Sequence, residues 1–297
     1  MRSVKRHTGF RLFGIFGYPL EHTLSPHMHE AGFRALGIDA NYIVLEQDAA
    51  GFREAMRGLR RSLLSGFNVT VPYKETVLKY LDGISREARE IGAVNTVYQK
   101  GTRWFGANTD MEGFLLSLGR EGKYRPEGKR AVILGAGGAS RAVVYGLSRK
   151  KARAVTVVDM FPEKAEKIAR DLGRVFRGTA YEALRSGDLR IRELIGKADL
   201  VVNATPLGLK KTDPMAVPSE WIPKADAGPK LFMDLIYNPA ETRFLALARK
   251  RGHRTLNGLG MLFYQGVRAF ECWTGGKAPV SVMRNALLEA LRTKGKP

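Results

Sequence analysis

Cysteine is almost absent from this chain: Cys272 is the single one among 297 residues. An internal disulfide is excluded, so stability has to come from packed cores, as expected in a reducing compartment such as the cytoplasm. Lying in an apolar helical stretch, Cys272 reads as a small core residue. Long apolar runs are also missing, and none approaches the roughly 18 residues a membrane helix needs. The start, "MRSVKRHTGFRLFGIFG", is basic and then briefly apolar. It lacks the apolar core and small-residue cleavage site of a secretory signal, so "RLFGIFG" reads as a first strand. There is no internal repeat and no low-complexity tract. Acidic residues are scarce beside basic ones, 29 against 49, which leaves a net charge of +20. Such an excess suits anionic partners. Because the charges are dispersed and no nucleic-acid motif accompanies them, small anionic ligands are favoured over nucleic acid.

What is present is an alternation of strands and helices in a chain long enough for two domains. In the first half, "RLFGIFG", "NYIVLE" and "SGFNVTVP" read as strands, and "SPHMHEAGFRAL" and "AAGFREAMRGLR" as helices, the first opened by Ser25 and Pro26. "AVNTVYQKGTRWFGANTD" reads as two strands about a turn at Lys100-Gly101. A second set follows, with strands "RAVILG", "AVTVVD", "ADLVVNATP" and "KLFMDLIYNP" and helices between them. This order predicts an α/β protein with largely parallel sheets. "KKTDPMAVPSEWIPKADAGPK" reads as a surface loop, "GLGMLFYQGVRAFECWTG" and "VSVMRNALLEALRTK" as closing helices, and "RTKGKP" as a frayed basic tail.

Two regions carry chemistry. In "VILGAGGASRA", Gly135, Gly137 and Gly138 follow an apolar strand and precede a helix. Glycines in that context let backbone amides approach a pyrophosphate at a helix N-terminus. Asp159 closes the next strand, where a carboxylate accepts from an adenosine ribose diol and repels a 2′-phosphate; this favours NAD over NADP. Lys164 and Arg141 are nearby bases that would tolerate a phosphate, and Asp159 would also serve as a helix N-cap. In "GFNVTVPYKETV", Phe67, Val69 and Val71 alternate with Asn68 and Thr70 as in a half-buried strand. Pro72 ends it, and Lys74 follows at a strand-to-helix turn. Asp110 closes "GANTD" at the head of another helix, where it would act as a cap or as chemistry. An amine and a carboxylate on one substrate hydroxyl supply the proton transfer that a hydride transfer requires. Thr23 and Ser25 lead into a helix N-terminus, a place for a carboxylate or for simple capping. His22, His27 and His29 are close in sequence, but His27 and His29 point to different helix faces, so no metal site is expected.

Taken together, "GYPLEHTLSPHMH", "GFNVTVPYKE", "GAVNT", "GANTD", "GAGGASRA", "NATPLG", "DLIYNPAETRFLALARKRG" and "NGLGMLFYQGVRAFECWTG" resemble, in order and from Gly17 to Gly275, the shikimate dehydrogenase family with its quinate/shikimate branch. The resemblance implies a substrate-binding catalytic domain of residues 1–109 and 258–297 and a Rossmann-like NAD(P)-binding domain of residues 110–257. It implies reversible hydride transfer between 3-dehydroshikimate and shikimate, with Lys74 and Asp110 as the catalytic pair. Thr23 and Ser25 then correspond to the hydroxyls on the substrate carboxylate, and Asn68, Thr70, Asn95, Gln265 and Tyr237 to polar groups around the ring hydroxyls. Gly135, Ala136, Gly137, Gly138, Ala139, Asn203, Thr205, Leu235 and Gly258 correspond to cofactor-side positions. Three departures stand out: Thr23 where shikimate-specific members have serine, Asp159-Met160-Phe161 in place of an NADP-type Asn-Arg-Thr, and Leu209 where methionine is common. The first two point toward an NAD-preferring quinate/shikimate dehydrogenase as the alternative activity. A nucleotide- or nucleic-acid-binding protein on the same scaffold is the distant alternative, and a monomer or homodimer is expected.

Overall fold

The computed structural model describes residues 9–20 and 23–294. The basic start, His22 and the end of the C-terminal tail lie outside the described residues. The chain divides into one unit of Met1–Thr109 with Gln265–Pro297 and another of Asp110–Tyr264.

The first unit is built on β1 (Arg11–Gly17), α1 (Ser25–Ala35), β2 (Ala40–Glu46), α2 (Ala49–Arg57), β3 (Leu64–Val69), β4 (Gly83–Ile84), α3 (Arg86–Ile91), β5 (Thr96–Lys100) and β6 (Arg103–Ala107). Its six strands run in the order β2-β1-β3-β5-β6-β4. The β1 strand pairs in parallel with β2 and β3, whereas β3–β5 and β5–β6 are antiparallel. The Lys100-Gly101 turn joins β5 to β6, with Lys100 opposite Arg103. Asp48 starts α2, its carboxylate accepting from the amides of Ala50 and Gly51 at 3.0 and 2.8 Å. The β3 strand differs from its reading as half-buried. It lies between β1 and β5, and Phe67, Asn68 and Val69 are all buried. Asn68 faces other polar groups, while Thr70, just past the strand, is half-buried and Val71 is exposed.

The second unit holds α4 (Asp110–Arg120), β7 (Arg130–Leu134), α5 (Gly138–Arg149), β8 (Ala154–Asp159), α6 (Pro162–Val175), β9 (Ala180–Arg185), α7 (Arg190–Lys197), β10 (Leu200–Asn203), β11 (Leu231–Asp234), α8 (Arg243–Lys250) and β12 (Arg254–Leu256). All six strands are parallel, in the order β12-β11-β10-β7-β8-β9. The apolar runs of β7 and β10 are buried on both faces, as the central strands of a parallel sheet must be. The segment read as a surface loop before β11 departs from that reading. Val217, Trp221 and Ile222 enter the core beside Val132, Ile191 and Phe232, because a proline-rich connection still carries enough apolar area to pack on a sheet face.

Two helices close the chain, α9 (Leu259–Thr274) and α10 (Val280–Lys294). The division of the chain at residue 265 falls inside α9. The first turn of that helix packs at Gly260 against Ser117 and Glu121 of α4. Cys272 is exposed, not a core residue. Trp273, its neighbour, takes the inward position and donates its indole N–H to the carbonyl of Val97 at 2.9 Å. Among the described residues no helix is long and apolar enough to cross a membrane.

In the first unit Phe13, Phe33, Phe270 and Trp273 form an aromatic cluster that contains His29. The imidazole stacks on Tyr42 with ring centres 4.7 Å apart. It is fully buried, and neither ring nitrogen has a hydrogen-bond partner. Burial holds its pKa down from 6.5 to about 3, so the ring is neutral in the fold. The unfolded chain gains a proton below pH 6.5 that the folded chain refuses until about pH 3, so stability falls as pH drops through that window. The His29 contribution amounts to about 1.4 kcal/mol per pH unit. Denaturant titrations of wild type and His29→Leu at pH 7.5, 6 and 4.5 are expected to diverge, the variant losing less stability on acidification. Parallel curves would show that His29 is not the group responsible.

Candidate active site

In the first unit Asn68, Asn95 and Gln265, three of the polar residues singled out in the sequence, join one buried network. Asn68 reaches its position from the middle of β3, and its side-chain amide donates to the Asn95 carbonyl at 3.0 Å and to Thr96 Oγ1 at 3.3 Å. Its Oδ1 accepts from the Tyr42 hydroxyl at 2.8 Å. Asn95 donates to Thr109 Oγ1 at 2.9 Å and to Gln265 Oε1 at 3.2 Å, and its Oδ1 accepts from the Thr109 amide at 2.7 Å. Thr96 and Thr109 share a hydroxyl contact of 3.1 Å. Burial is affordable here because each amide has found partners. Burial also raises the Tyr42 phenol well above its ordinary pKa, opposed by a hydrogen bond with Ser25, so it stays a neutral donor.

Ser25 is buried and is the first residue of α1; no side chain caps that helix. Its amide donates to Thr23 Oγ1 at 3.3 Å, so the two hydroxyl residues form one local turn and neither is a helix cap. Thr70 lies just past β3, its amide donating to the carbonyl of Phe16 at 2.8 Å. Lys74 is buried. The segment carrying it is fixed on both sides: Tyr73 stacks on Phe52 at 4.1 Å and donates to the carbonyl of Gln47 at 2.6 Å, and the carbonyl of Lys74 accepts from Val94 at 2.8 Å.

In the second unit Asp110 is buried at the start of α4. Tyr237, the one ring-hydroxyl candidate in this unit, is half-buried after β11, and burial raises its phenol pKa. The turn after β7 has the features a dinucleotide needs. Gly135 has φ of 102°, and a Cβ there would meet the Ala204 carbonyl oxygen at 2.9 Å, so only glycine fits. Ser140 donates back to the Gly135 carbonyl. Gly137 is the N-cap of α5, with no side-chain cap, and a Cβ there would meet nothing within 4 Å. Open space in front of uncapped amides fits an anionic pyrophosphate.

Asn203, at the end of β10, is fully buried. Its amide donates to both oxygens of Asp234 at 3.1 Å and to the carbonyl of Leu207 at 3.0 Å, and its Oδ1 accepts from Thr205 Oγ1 at 2.7 Å. Asp234 also accepts from the Thr242 hydroxyl and the Ile236 amide at 2.7 and 3.0 Å. No cation neutralises this carboxylate in its hydrogen-bond set, and burial raises its pKa. The network fixes the chain at Leu235, where Gly258 comes so close that a Cβ would overlap the Leu235 carbonyl group. Leu209 is exposed.

The sequence did not single out Tyr42, Thr96, Thr109, Asp234 or Thr242. The adjacent polar pair Asn95-Thr96 inside an apolar stretch was a usable signal for Thr96. Tyr42 carried none, because one tyrosine in an edge strand looks like any other. Among the described residues no group of three or more His, Cys, Asp or Glu is placed to hold a metal. His27 is exposed and His29 buried.

Three family models match the chain: the shikimate dehydrogenase substrate binding domain at residues 15–97, shikimate / quinate 5-dehydrogenase at residues 119–237, and the shikimate 5'-dehydrogenase C-terminal domain at residues 258–288. The shikimate dehydrogenase (NADP(+)) of Symbiobacterium thermophilum is 42% identical over 296 residues, covering 100% of this chain and 99% of that protein. Shikimate dehydrogenase from Aquifex aeolicus superposes with a TM-score of 0.82 at 37% identity, covering 94% of this chain and 97% of that one. A quinate dehydrogenase from Corynebacterium glutamicum, in complex with NAD, superposes with a TM-score of 0.82 at 31% identity, covering 95% and 100%.

The expected preference for NAD over NADP does not stand. Five relatives at 41% to 42% identity all carry the name shikimate dehydrogenase (NADP(+)). The structure supplies the physical reason. Asp159 Oδ2 accepts from the Ala136 amide at 2.7 Å and Oδ1 from the Phe161 amide at 2.9 Å. The carboxylate braces the glycine turn, so its place at the strand end is explained without an adenosine ribose and does not by itself select NAD. It does not cap α6 either, whose N-cap is Phe161. Of the two nearby bases, Arg141 is buried and paired with Asp171 at 2.9 Å, while Lys164 lies 4.7 Å from the centre of the Phe161 ring.

The Gly258–Leu235 approach yields a direct test. Gly258→Ala is expected to lower stability by about 3 kcal/mol, because the Leu235 backbone must move to admit the methyl group. Gly196→Ala, where the new methyl meets nothing within 4 Å, is expected to be neutral or slightly stabilising. Equal chemical-denaturation midpoints for the two variants would contradict the steric assignment.

Proposed function

Since the chain belongs to the shikimate and quinate dehydrogenase family, oxidoreductases that act on a CH–OH group, we propose that it interconverts shikimate and 3-dehydroshikimate with NADP as coenzyme. The observation that carries this reading is the buried amide and hydroxyl network of Tyr42, Asn68, Asn95, Thr96, Thr109 and Gln265. A polyhydroxylated ring needs donors and acceptors held in fixed directions, and these are held by their hydrogen bonds to one another.

On this reading the first unit takes the substrate and the second the nucleotide. The hydroxyls of Thr23 and Ser25 donate to the ring carboxylate. Asn68, Thr70, Asn95, Gln265 and Tyr237 set the ring hydroxyls. The amides from Gly135 to Ala139 take the pyrophosphate, with Asn203, Thr205, Leu235 and Gly258 on the nicotinamide side. NADP, when bound, supplies or accepts the hydride. Lys74 and Asp110 flank the reacting hydroxyl; one of the pair, in its basic form, takes up the hydroxyl proton as shikimate is oxidised and returns it in reduction, while the other orients the hydroxyl. Burial of both side chains keeps water from competing for that proton. The lone cysteine agrees with a cytoplasmic enzyme. The methyl group of Thr23 beside Ser25 supports testing quinate next to shikimate.

A four-way kinetic comparison of shikimate and quinate, each with NADP⁺ and NAD⁺, tests the assignment. Fastest turnover is expected for shikimate with NADP⁺, and no oxidation of either acid with either coenzyme would overturn it. Lys74→Ala is expected to lower kcat by about 10²- to 10⁴-fold with circular dichroism and melting unchanged. A folded variant with near-wild-type turnover would remove Lys74 from the mechanism.

A further inference from the structure

The parallel sheet of the second unit has two edges. The glycine turn occupies the carboxyl-terminal edge, where ligands of open α/β sheets bind. At the opposite edge, where β7, β10, β11 and β12 begin, lies a cavity of about 720 Å³. That is the size of a small-molecule site. Five cationic side chains line it, Lys123, Arg125, Lys129, Lys230 and Arg254, against the single carboxylate of Asp199.

Three of these cations also serve the fold. Lys230 donates to the carbonyls of Gly196 and Ala198, both at 2.8 Å, and so closes the end of α7. Arg254 donates to the carbonyl of Gly122 beyond α4. Lys129 meets Asp199 at 3.3 Å, and the other oxygen of that carboxylate accepts from the Arg130 amide at 2.9 Å. Capping of helix ends explains Lys230 and Arg254, and the ion pair with Asp199 explains Lys129. Neither explains Lys123 and Arg125. Both are exposed on the segment between α4 and β7, and no carboxylate pairs with either among the described residues. Lys123 is held with φ of 46°, in the left-handed region, by the chain reversal in which the Gly122 amide donates to Ser117 and the Tyr124 amide to Leu118. Tyr124 lies between them and lines the same cavity. Burial and the neighbouring Asp199 charge push its phenol up, so it remains a hydrogen-bond donor.

We propose that this cavity binds a small phosphorylated molecule carrying more than one anionic oxygen group. Like charges gathered in a concave wall repel one another; Asp199 offsets one of the five, and an anion in the cavity relieves the repulsion among the rest. Arginine forks and lysine ammonium groups together suit phosphate oxygens, and the tyrosine hydroxyl adds a neutral donor. The site is separate from the glycine turn and uses none of the residues assigned to the reaction.

The test is calorimetric titration of inorganic triphosphate into the full chain at constant ionic strength, with NADP⁺ present to fill the glycine turn. Wild type is expected to show saturable one-to-one binding, and Lys123→Ala/Arg125→Ala at least tenfold weaker binding. The variant's shikimate oxidation without triphosphate is expected to equal wild type, which also reports that it folds. Equal affinity in the two proteins would overturn the proposal, as would heat reproduced by sodium chloride at matched ionic strength. Because the substitutions are confined to the cavity, the comparison reads that site whether or not NADP⁺ occupies the turn.

Discussion

One side-chain amide ties together segments of the first unit that are far apart in the chain. Asn95 precedes β5, accepts from the residue that follows β6 and donates to Gln265 of α9. Its backbone carbonyl accepts from Asn68 and from the amide of Val69. These bonds form out of water, where an unsatisfied amide costs about 1–3 kcal/mol, so the members stand or fall together. The position of Gln265 of α9 and the direction of the Asn68 side chain on β3 therefore follow from the same set of bonds. A site assembled in this way is rigid because its groups hold one another.

The second unit reaches similar rigidity by other means. Its sheet is a run of apolar parallel strands, and order at the sheet's carboxyl-terminal edge comes from two carboxylates that accept from neighbouring backbone amides and side chains. Asp159 gathers the amides of Ala136 and Phe161, and Asp234 gathers Asn203, Thr242 and Ile236. The loops that follow three parallel strands are set by these contacts. Backbone shape at this edge is then tied to these acceptors, with glycine required at 135 and 258 because a Cβ would meet the Ala204 and Leu235 carbonyl groups.

Much of this was legible in the sequence because strand and helix periods were clean. The runs of β1, β7, β8, β10 and β11 and the turn between β5 and β6 all appear where apolar pattern and glycine placement put them. The elements that escaped are short or sit at edges: β4 with two residues, β12 with three, α3 with six, α7, and β9, whose mixed "AYEALR" lacks alternation. Asn68 of β3 was visible as a polar alternate, but the sequence could not reveal that other polar groups bury it. Asp159 shows the limit most sharply. Its place at a strand end was correct, yet its role depended on which hydrogen bonds its oxygens already had, and that is a property of the folded turn.

A carboxylate used in this way is a pleiotropic residue. Position 159 stands where dinucleotide folds discriminate between coenzymes, yet here it also holds the glycine turn in shape. A lineage that drifted toward a different coenzyme could not begin by exchanging this residue without loosening the loop on which either coenzyme would rest. The accessible route runs through its exposed neighbours, Met160, Phe161 and Lys164, which can change without touching the brace. Coenzyme choice in such a protein would evolve around a fixed carboxylate, with the identity of residue 159 lagging behind the specificity it appears to encode.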